Sequence, residues 1–133
     1  MKRFLDQAEH NKKFHKCICD EFPDIFFDWK ITAVFYISIH YLKALGANRR
    51  HDFGETHREI RKNVCPYEPN ARYKITITAW DNYDHIQQYS RTARYEGITD
   101  PETFEQLRKN DYDDSLIRLK DFIKYIKTSG VPI

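Results

Sequence analysis

Residues 28–45 of the chain read DWKITAVFYISIHYLKAL, and this stretch decides the fold. Its apolar residues fall on nearly all sides of a helical wheel, which is typical of a helix buried in a core. Its β-branched and aromatic residues would also suit a strand, but the length of the run and the absence of a turn signal before Gly46 favour a helix. With Asp28 as N-cap and Gly46 as the C-terminal residue, we predict a second helix over about residues 29–45.

The spacing of apolar residues and the positions of glycine and proline predict the other helices. A first helix covers residues 2–20 and ends before Pro23. Thr56, followed three residues later by a glutamate, fits a capping box that starts a third helix of about 57–64. A fourth helix covers about 71–95, and a fifth runs from Pro101 to about residue 127, with a break expected near 110–114. The tail, residues 130–133, is expected to be loose.

The bulk composition suits one compact helical domain. The chain has 133 residues, of which 41% are hydrophobic and 32% charged. That length allows one core but not two, and no internal repeat, linker or low-complexity tract divides the chain. We therefore predict a single all-α domain over residues 1–133, an up-and-down bundle of four or five helices.

Charge and cysteine content exclude few functions. A formal net charge of +2 does not by itself indicate a nucleic-acid-binding protein, so local clusters matter more. The three cysteines include no Cys-x-x-Cys pair, which indicates reduced thiols in a cytoplasmic protein. The N-terminus lacks the apolar segment of a signal peptide, and charges interrupt the other apolar runs, so we expect no membrane span. We predict no metal site and no cofactor.

The stretch GANRRHDFGETHREIRKN, residues 46–63, concentrates arginine and histidine around the start of the third helix. One interpretation is a solvated loop, in which His57 caps the helix or pairs with Glu55 or Glu59. The other is a site that breaks a phosphodiester. There, the guanidinium of Arg50 would hold phosphate oxygens, and His57, which titrates near neutrality, would be a general acid or base. The free backbone N–H groups of the first helical turn would also favour a phosphate.

Three stretches together resemble the HEPN-like family of small prokaryotic helical-bundle proteins. They are DWKITAVFYISIHYLKAL, HREIRKNV at residues 57–64 and YSRTARYEG at residues 89–97. The resemblance covers about residues 25–97 and implies an all-helical bundle that is frequently a dimer. Many members are metal-independent ribonucleases with an Arg-x(4–6)-His motif, often in toxin–antitoxin, phage-defence or CRISPR-linked systems. Others are non-catalytic modules that bind nucleic acid or a protein partner.

Carried onto this chain, the resemblance implies that Arg50 and His57 form the Arg-x6-His pair. Arg50 would stabilise the transition state, His57 would be the general acid or base, and His51 would be a second proton carrier. RNA would also be contacted by side chains around the third helix and at the end of the fourth, namely Arg49, Arg58, Arg61, Arg94 and Tyr95, the last by stacking on a base. A homodimer would bring a second copy of these residues across its interface.

Two other functions stay open on the sequence. A non-catalytic helical partner, for example of a nucleotidyltransferase antitoxin or another defence component, would keep the bundle and use the charged loop for docking. A bundle that binds a nucleotide or another small ligand would line an interior pocket with Tyr36, His40 and Trp80.

Overall fold

A computed structural model describes residues 1–95 and 101–133, with the backbone alone for residue 95, residues 101–105 and residue 107. Within that part the chain is all-helical and has no strand, which confirms the predicted all-α class. The helices are α1 (Lys2–Glu21), α2 (Phe27–Asn48), α3 (His57–Val64), α4 (Ile77–Tyr95) and α5 (Pro101–Thr128). None of these, as far as they are described, combines the length and the apolar character that crossing a membrane would require.

α2 is the central helix, because α1, α4 and α5 all pack against it. Its buried residues extend from Phe27 to Gly46, and Leu42 and Leu45 have no exposed surface. Burial of one such side chain contributes about 1.5–3 kcal/mol. The prediction of a buried helix over this stretch is therefore confirmed.

Both ends of α2 differ from the prediction. Asp28 lies in the first turn, where its carboxylate faces the positive end of the helix dipole, and the N-cap is Phe26 with φ +63°. At the other end Gly46 lies inside the helix, which continues to Asn48. A Cβ at position 46 would lie 2.8 Å from the carbonyl oxygen of His51 and 3.0 Å from Cγ of Phe53. This glycine therefore marks the close return of the next loop rather than a helix end.

Gly46→Ala is expected to destabilise the fold. Helix propensity alone would favour alanine by about 1 kcal/mol, whereas forcing a methyl group into a packed site typically costs about 1–3 kcal/mol. We expect the steric cost to outweigh the gain in helix propensity, because the closest atom is the backbone oxygen of His51, which cannot move aside as a flexible side chain could. Urea unfolding of Gly46→Ala beside Asn48→Ala, an exposed position of the same helix, measures the difference. A variant more stable than wild type would contradict the close approach.

The fourth helix begins at Ile77 rather than near residue 71. The preceding residues are not helical and return to α3, with the Tyr73 N–H donating to the Asn63 carbonyl at 2.8 Å. The Ile75 N–H donates to the Val64 carbonyl at 3.0 Å. A helix that started near residue 71 would need the Ile75 N–H for its own ladder, so the prediction was wrong over residues 71–76.

The break expected near residues 110–114 is also wrong, because α5 is continuous there. Two of its aspartates form ion pairs with basic residues one helical turn away: Asp113 with Lys109 at 3.0 Å and Asp114 with Arg118 at 2.8 Å. Pairs at this spacing stabilise a helix. The tail is not loose either, since Val131 is buried and its N–H donates to the carbonyl oxygen of Ile126.

Candidate functional site

The start of α3 positions the first candidate residue. Thr56 is the N-cap, and its Oγ1 accepts the Glu59 N–H at 3.2 Å, as predicted. The Glu59 carboxylate accepts the N–H of Glu55 at 2.9 Å, one residue before the position that a standard capping box would use. These bonds fix His57 as the first residue of the helix.

The His57 ring packs between α3 and α4. Its Nδ1 lies 3.1 Å from the hydroxyl of Tyr83, a hydrogen bond in which the tautomer decides the donor. Its Nε2 lies 3.9 Å from Oδ1 of Asp84, and its ring stacks against Trp80 with centroids 6.2 Å apart. Because Tyr83 holds Nδ1, Nε2 is the nitrogen left to exchange a proton with a substrate. The Glu55 and Glu59 carboxylates, proposed as partners in the solvated interpretation, are used elsewhere.

The surroundings lower the pKa of His57 below its ordinary value. Burial is the largest cause, and the positive charges of Arg61 and Arg91 add to it, while the Asp84 carboxylate acts in the opposite direction. The imidazole is therefore mainly neutral at pH 7, with two guanidinium groups near enough to affect its charge. A neutral imidazole beside arginines is suited to proton transfer at a phosphate.

Two substitutions are expected to move the pKa of His57 in opposite directions. Asp84→Asn removes the charge that raises the pKa, so the pKa should fall further, whereas Arg91→Gln removes a positive charge and should raise it. NMR titration of the imidazole ring protons measures both shifts. Asp121→Asn on α5 is the control and should leave the titration unchanged. Shifts of the same sign in both variants would refute this electrostatic arrangement.

The stability of the fold should depend on pH through three partly buried histidines. The pKa values of His15, His40 and His57 are all lowered from 6.5, in each case mainly by burial. The unfolded chain then binds more protons than the folded one between the folded pKa and 6.5. We expect the free energy of unfolding to decrease as the pH falls below 6.5, and urea titrations on both sides of that pH would show it. An unchanged free energy would contradict the burial of these rings.

Arg50 lies at a different place, in an open cleft of about 270 Å³ at the end of α2. The cations lining this cleft are Arg3, Lys43 and Arg50, with His51 beside them. Two acids, Asp52 and Glu55, also line it, and Glu55 pairs with Lys43 at 3.6 Å. The Arg50 backbone has φ +59°, a conformation that non-glycine residues rarely adopt. Its side chain is exposed and makes no ion pair within the described part of the chain.

The structure therefore does not bring Arg50 and His57 into one contact within a single chain. His51 lines the same cleft as Arg50, and its exposed ring stacks on Tyr73 with centroids 4.1 Å apart. Arg61 lies on the same side of the molecule as His57, because both side chains approach the Trp80 ring. Its guanidinium is 6.0 Å from that ring and pairs with Glu68 at 3.1 Å.

The remaining predicted RNA contacts are spread over the surface. Arg49 is the exposed C-cap of α2, and Arg58 is exposed on α3. Arg94 lies 5.6 Å above the Phe35 ring and lines a second surface cleft with Trp29. Tyr95 ends α4, and its side chain lies outside the described residues.

The sequence interpretation missed part of the His57 environment. It placed none of Tyr83, Asp84 and Arg91 in the site, although they surround the imidazole in the structure. A signal was present, because positions 80, 83 and 84 lie on one face of a helix. That face is the one that α3 meets.

The predicted ligand pocket is not formed by its three residues. Tyr36 is 43% exposed, whereas Trp80 is 1% exposed and packs against His57 and Tyr83. His40 is half-buried and its Nδ1–H donates to the Tyr36 carbonyl at 2.7 Å, which is a structural bond within α2.

Over the described residues, no group of three or more His, Cys, Asp or Glu side chains is arranged to hold a metal ion. Cys17, Cys19 and Cys65 are free thiols.

Comparison of the chain with protein-family models, with curated proteins and with solved structures gave no match.

Proposed function

We propose that this protein binds RNA and cleaves it without a metal ion, with His57 exchanging protons with the substrate. The observation that carries the proposal is the His57 environment. Its Nδ1 is held by Tyr83, its pKa is lowered, and Arg61 and Arg91 are close enough to influence its charge. The resemblance of the sequence of α2, α3 and the end of α4 to HEPN-like ribonucleases also supports the proposal.

The chemistry needs proton transfer and positive charge. The ribose 2′-oxygen attacks the adjacent phosphorus, so the O2′–P bond forms while the P–O5′ bond breaks. One proton leaves O2′ and another is delivered to O5′, which yields a 2′,3′-cyclic phosphate and a 5′-hydroxyl. Nε2 of His57 can carry one of these protons, and Arg61 and Arg91 can stabilise the charge on the phosphorane oxygens.

The cleft at the end of α2 is proposed to hold the RNA backbone. Arg3 of α1 lies there beside Lys43 and Arg50, which come from the end of α2 and the residues just after it. A phosphate would replace Glu55 as the partner of Lys43, since that ion pair is long and Glu55 is 76% exposed. Phosphate contacts of this kind position a strand without reading its sequence. From the resemblance we also propose a homodimer, a cytoplasmic location and a role in a toxin–antitoxin or defence system.

Incubation of a labelled single-stranded RNA with the protein in EDTA tests cleavage. We expect fragments that end in a 2′,3′-cyclic phosphate, and no cleavage of a DNA of the same sequence, because DNA lacks the 2′-hydroxyl. RNA that stays intact in EDTA would refute the ribonuclease proposal and favour the non-catalytic partner function.

The salt dependence of RNA binding tests the cleft separately. Each phosphate contact to a single strand contributes about 0.7 to the slope of log K against log salt concentration. Arg50→Ala is expected to reduce that slope by about this amount. Lys120→Ala removes the same charge from an exposed position on α5 and should leave the slope unchanged. Equal slopes in both variants would show that Arg50 does not contact RNA.

A further inference from the structure

The corner between α1 and α2 exposes an unusual amount of apolar surface. Phe22 is 47% exposed, Ile25 43%, Phe26 38% and Trp29 57%. Together with Ile18, three of these residues, Phe22, Phe26 and Trp29, line an open cleft of about 290 Å³. Large contiguous apolar patches on a protein surface commonly mark a binding site. We call residues 18–29 the α1–α2 corner.

The corner is held rigid by a buried lysine. Lys30 is 1% exposed, and its ammonium group donates to the carbonyl oxygens of Phe22 and Pro23. It also lies 4.5 Å from the centre of the Phe27 ring. Burial of an ammonium group is costly unless it is fully hydrogen-bonded, so these bonds fix the turn. The backbone that carries the exposed rings is therefore restrained.

The backbone of the corner supports the same conclusion. Phe26 has φ +63°, a left-handed conformation that costs a non-glycine residue about 1–2 kcal/mol. In this conformation its ring meets that of Phe22 edge to face, with centroids 5.0 Å apart. A preorganised surface loses less conformational entropy when a partner binds.

The charge of the corner indicates what kind of partner it suits. The corner, residues 18–29, contains four acids, Asp20, Glu21, Asp24 and Asp28, and no lysine or arginine, although the whole chain has a net charge of +2. Asp20 pairs with Lys16 at 2.6 Å. Glu21 and Asp24 are exposed and make no ion pair within the described part of the chain. The cations nearest the rings are Lys30, which is buried, and Arg94, which lines a cleft with Trp29 and Asp28. Glu21 and Asp24 therefore leave exposed negative charge beside the apolar rings.

We propose that the α1–α2 corner docks a protein partner through a cationic amphipathic helix, with apolar residues on one face and lysine or arginine beside them. The apolar face would enter the cleft at Phe22, Phe26 and Trp29, and the basic residues would meet Glu21 and Asp24. A second copy of this chain fits less well, because a two-fold contact would bring the same acids together. RNA and anionic lipid surfaces would be repelled by these acids.

Two synthetic peptides test the proposal. Both carry the same leucine face on an amphipathic helix, and one has lysine wherever the other has glutamate. Fluorescence anisotropy of the labelled lysine peptide should show saturable binding that weakens as salt is added, with little binding of the glutamate peptide. Equal affinity of the two peptides, or binding of neither, would overturn the proposal.

Variants of the corner identify the docking site. Trp29→Ala should weaken binding of the lysine peptide by about tenfold or more, since buried tryptophans dominate interfaces. Ile117→Ala, which removes an apolar residue that is 64% exposed on α5, should bind like wild type. Circular dichroism verifies that both variants fold. If both variants lost affinity for the lysine peptide, or if neither did, the peptide would not bind at this corner and the proposal would be overturned.

Charge reversal and assembly state distinguish the remaining occupants. The double variant Glu21→Lys, Asp24→Lys should lose affinity for the lysine peptide and gain affinity for the glutamate peptide, whereas Asp121→Lys should keep the wild-type preference. A preference that does not change would overturn the role of the acids. A dimer of the wild-type protein that Trp29→Ala dissociates in sedimentation would show that a second copy occupies the corner, and would likewise overturn the proposal.

Discussion

Replacing His57 by alanine is expected to lower the rate of RNA cleavage in EDTA by about 100- to 10,000-fold, the usual effect of removing a general acid or base. No other imidazole contacts the Tyr83 hydroxyl within the described part of the chain. RNA affinity should change little, because the proposed backbone contacts are in the cleft at the end of α2. Single-turnover cleavage of a labelled RNA, with a separate binding titration, measures the two effects.

Three further variants show whether the loss is specific. His10→Ala removes an exposed imidazole from α1 and should retain the wild-type rate. Arg50→Ala should weaken RNA binding but leave the cleavage rate of bound RNA nearly unchanged, because the cleft is not lined by His57. Tyr83→Phe keeps the imidazole without its fixed orientation and should give an intermediate rate. Cleavage by His57→Ala at the wild-type rate would remove this residue from the mechanism.

Trp80→Ala is expected to lower the free energy of unfolding by about 3–5 kcal/mol. Trp80 is 1% exposed, and its ring packs against Tyr83 and His57 with centroids 5.4 and 6.2 Å away. The substitution would leave a cavity between α3 and α4 that neighbouring side chains fill only in part. For a domain whose total stability is about 5–15 kcal/mol, this is a large share. Urea unfolding followed by far-UV circular dichroism measures the change.

The second tryptophan provides the matched control. Trp29 is 57% exposed, so Trp29→Ala should change the free energy of unfolding by no more than about 0.5 kcal/mol. The two variants remove the same side chain and differ in burial. Equal destabilisation by both would mean that Trp29 is not on the surface, which would also remove the basis for docking at the α1–α2 corner.

Periodicity and capping predicted the helices well where local signals and tertiary packing agree. The α3 boundaries, 57–64, follow from Thr56 and Glu59, since a cap is a contact between near neighbours in the chain. Gly46 was misinterpreted because its role depends on the return of His51 and Phe53, which no local pattern shows. The late start of α4 has the same cause, since residues 73 and 75 bond to α3.

The candidate site could be predicted in part only. His57 was identified from its chemistry and from the resemblance, but the Arg-x6-His spacing did not predict which arginine would be near it. Residues 50 and 57 are separated by a loop whose path is set by the end of α2, so a short sequence separation does not place their side chains together. Arg91 and Asp84 approach His57 through the packing of α4, which a motif confined to residues 50–57 cannot contain.

The position of α1 at the edge of the bundle, with a single buried residue, has a consequence for how the molecule opens. α1 packs mainly on α2, and Ala8 is its one fully buried residue. The free energy needed to detach this helix should therefore be well below that of global unfolding, so its amide hydrogens should exchange with solvent faster than those of α2. Detachment would uncover a long side of α2 while α4 and α5 stay packed. The N-terminal helix would then act as a cooperative unit of its own within a domain that otherwise unfolds as a whole.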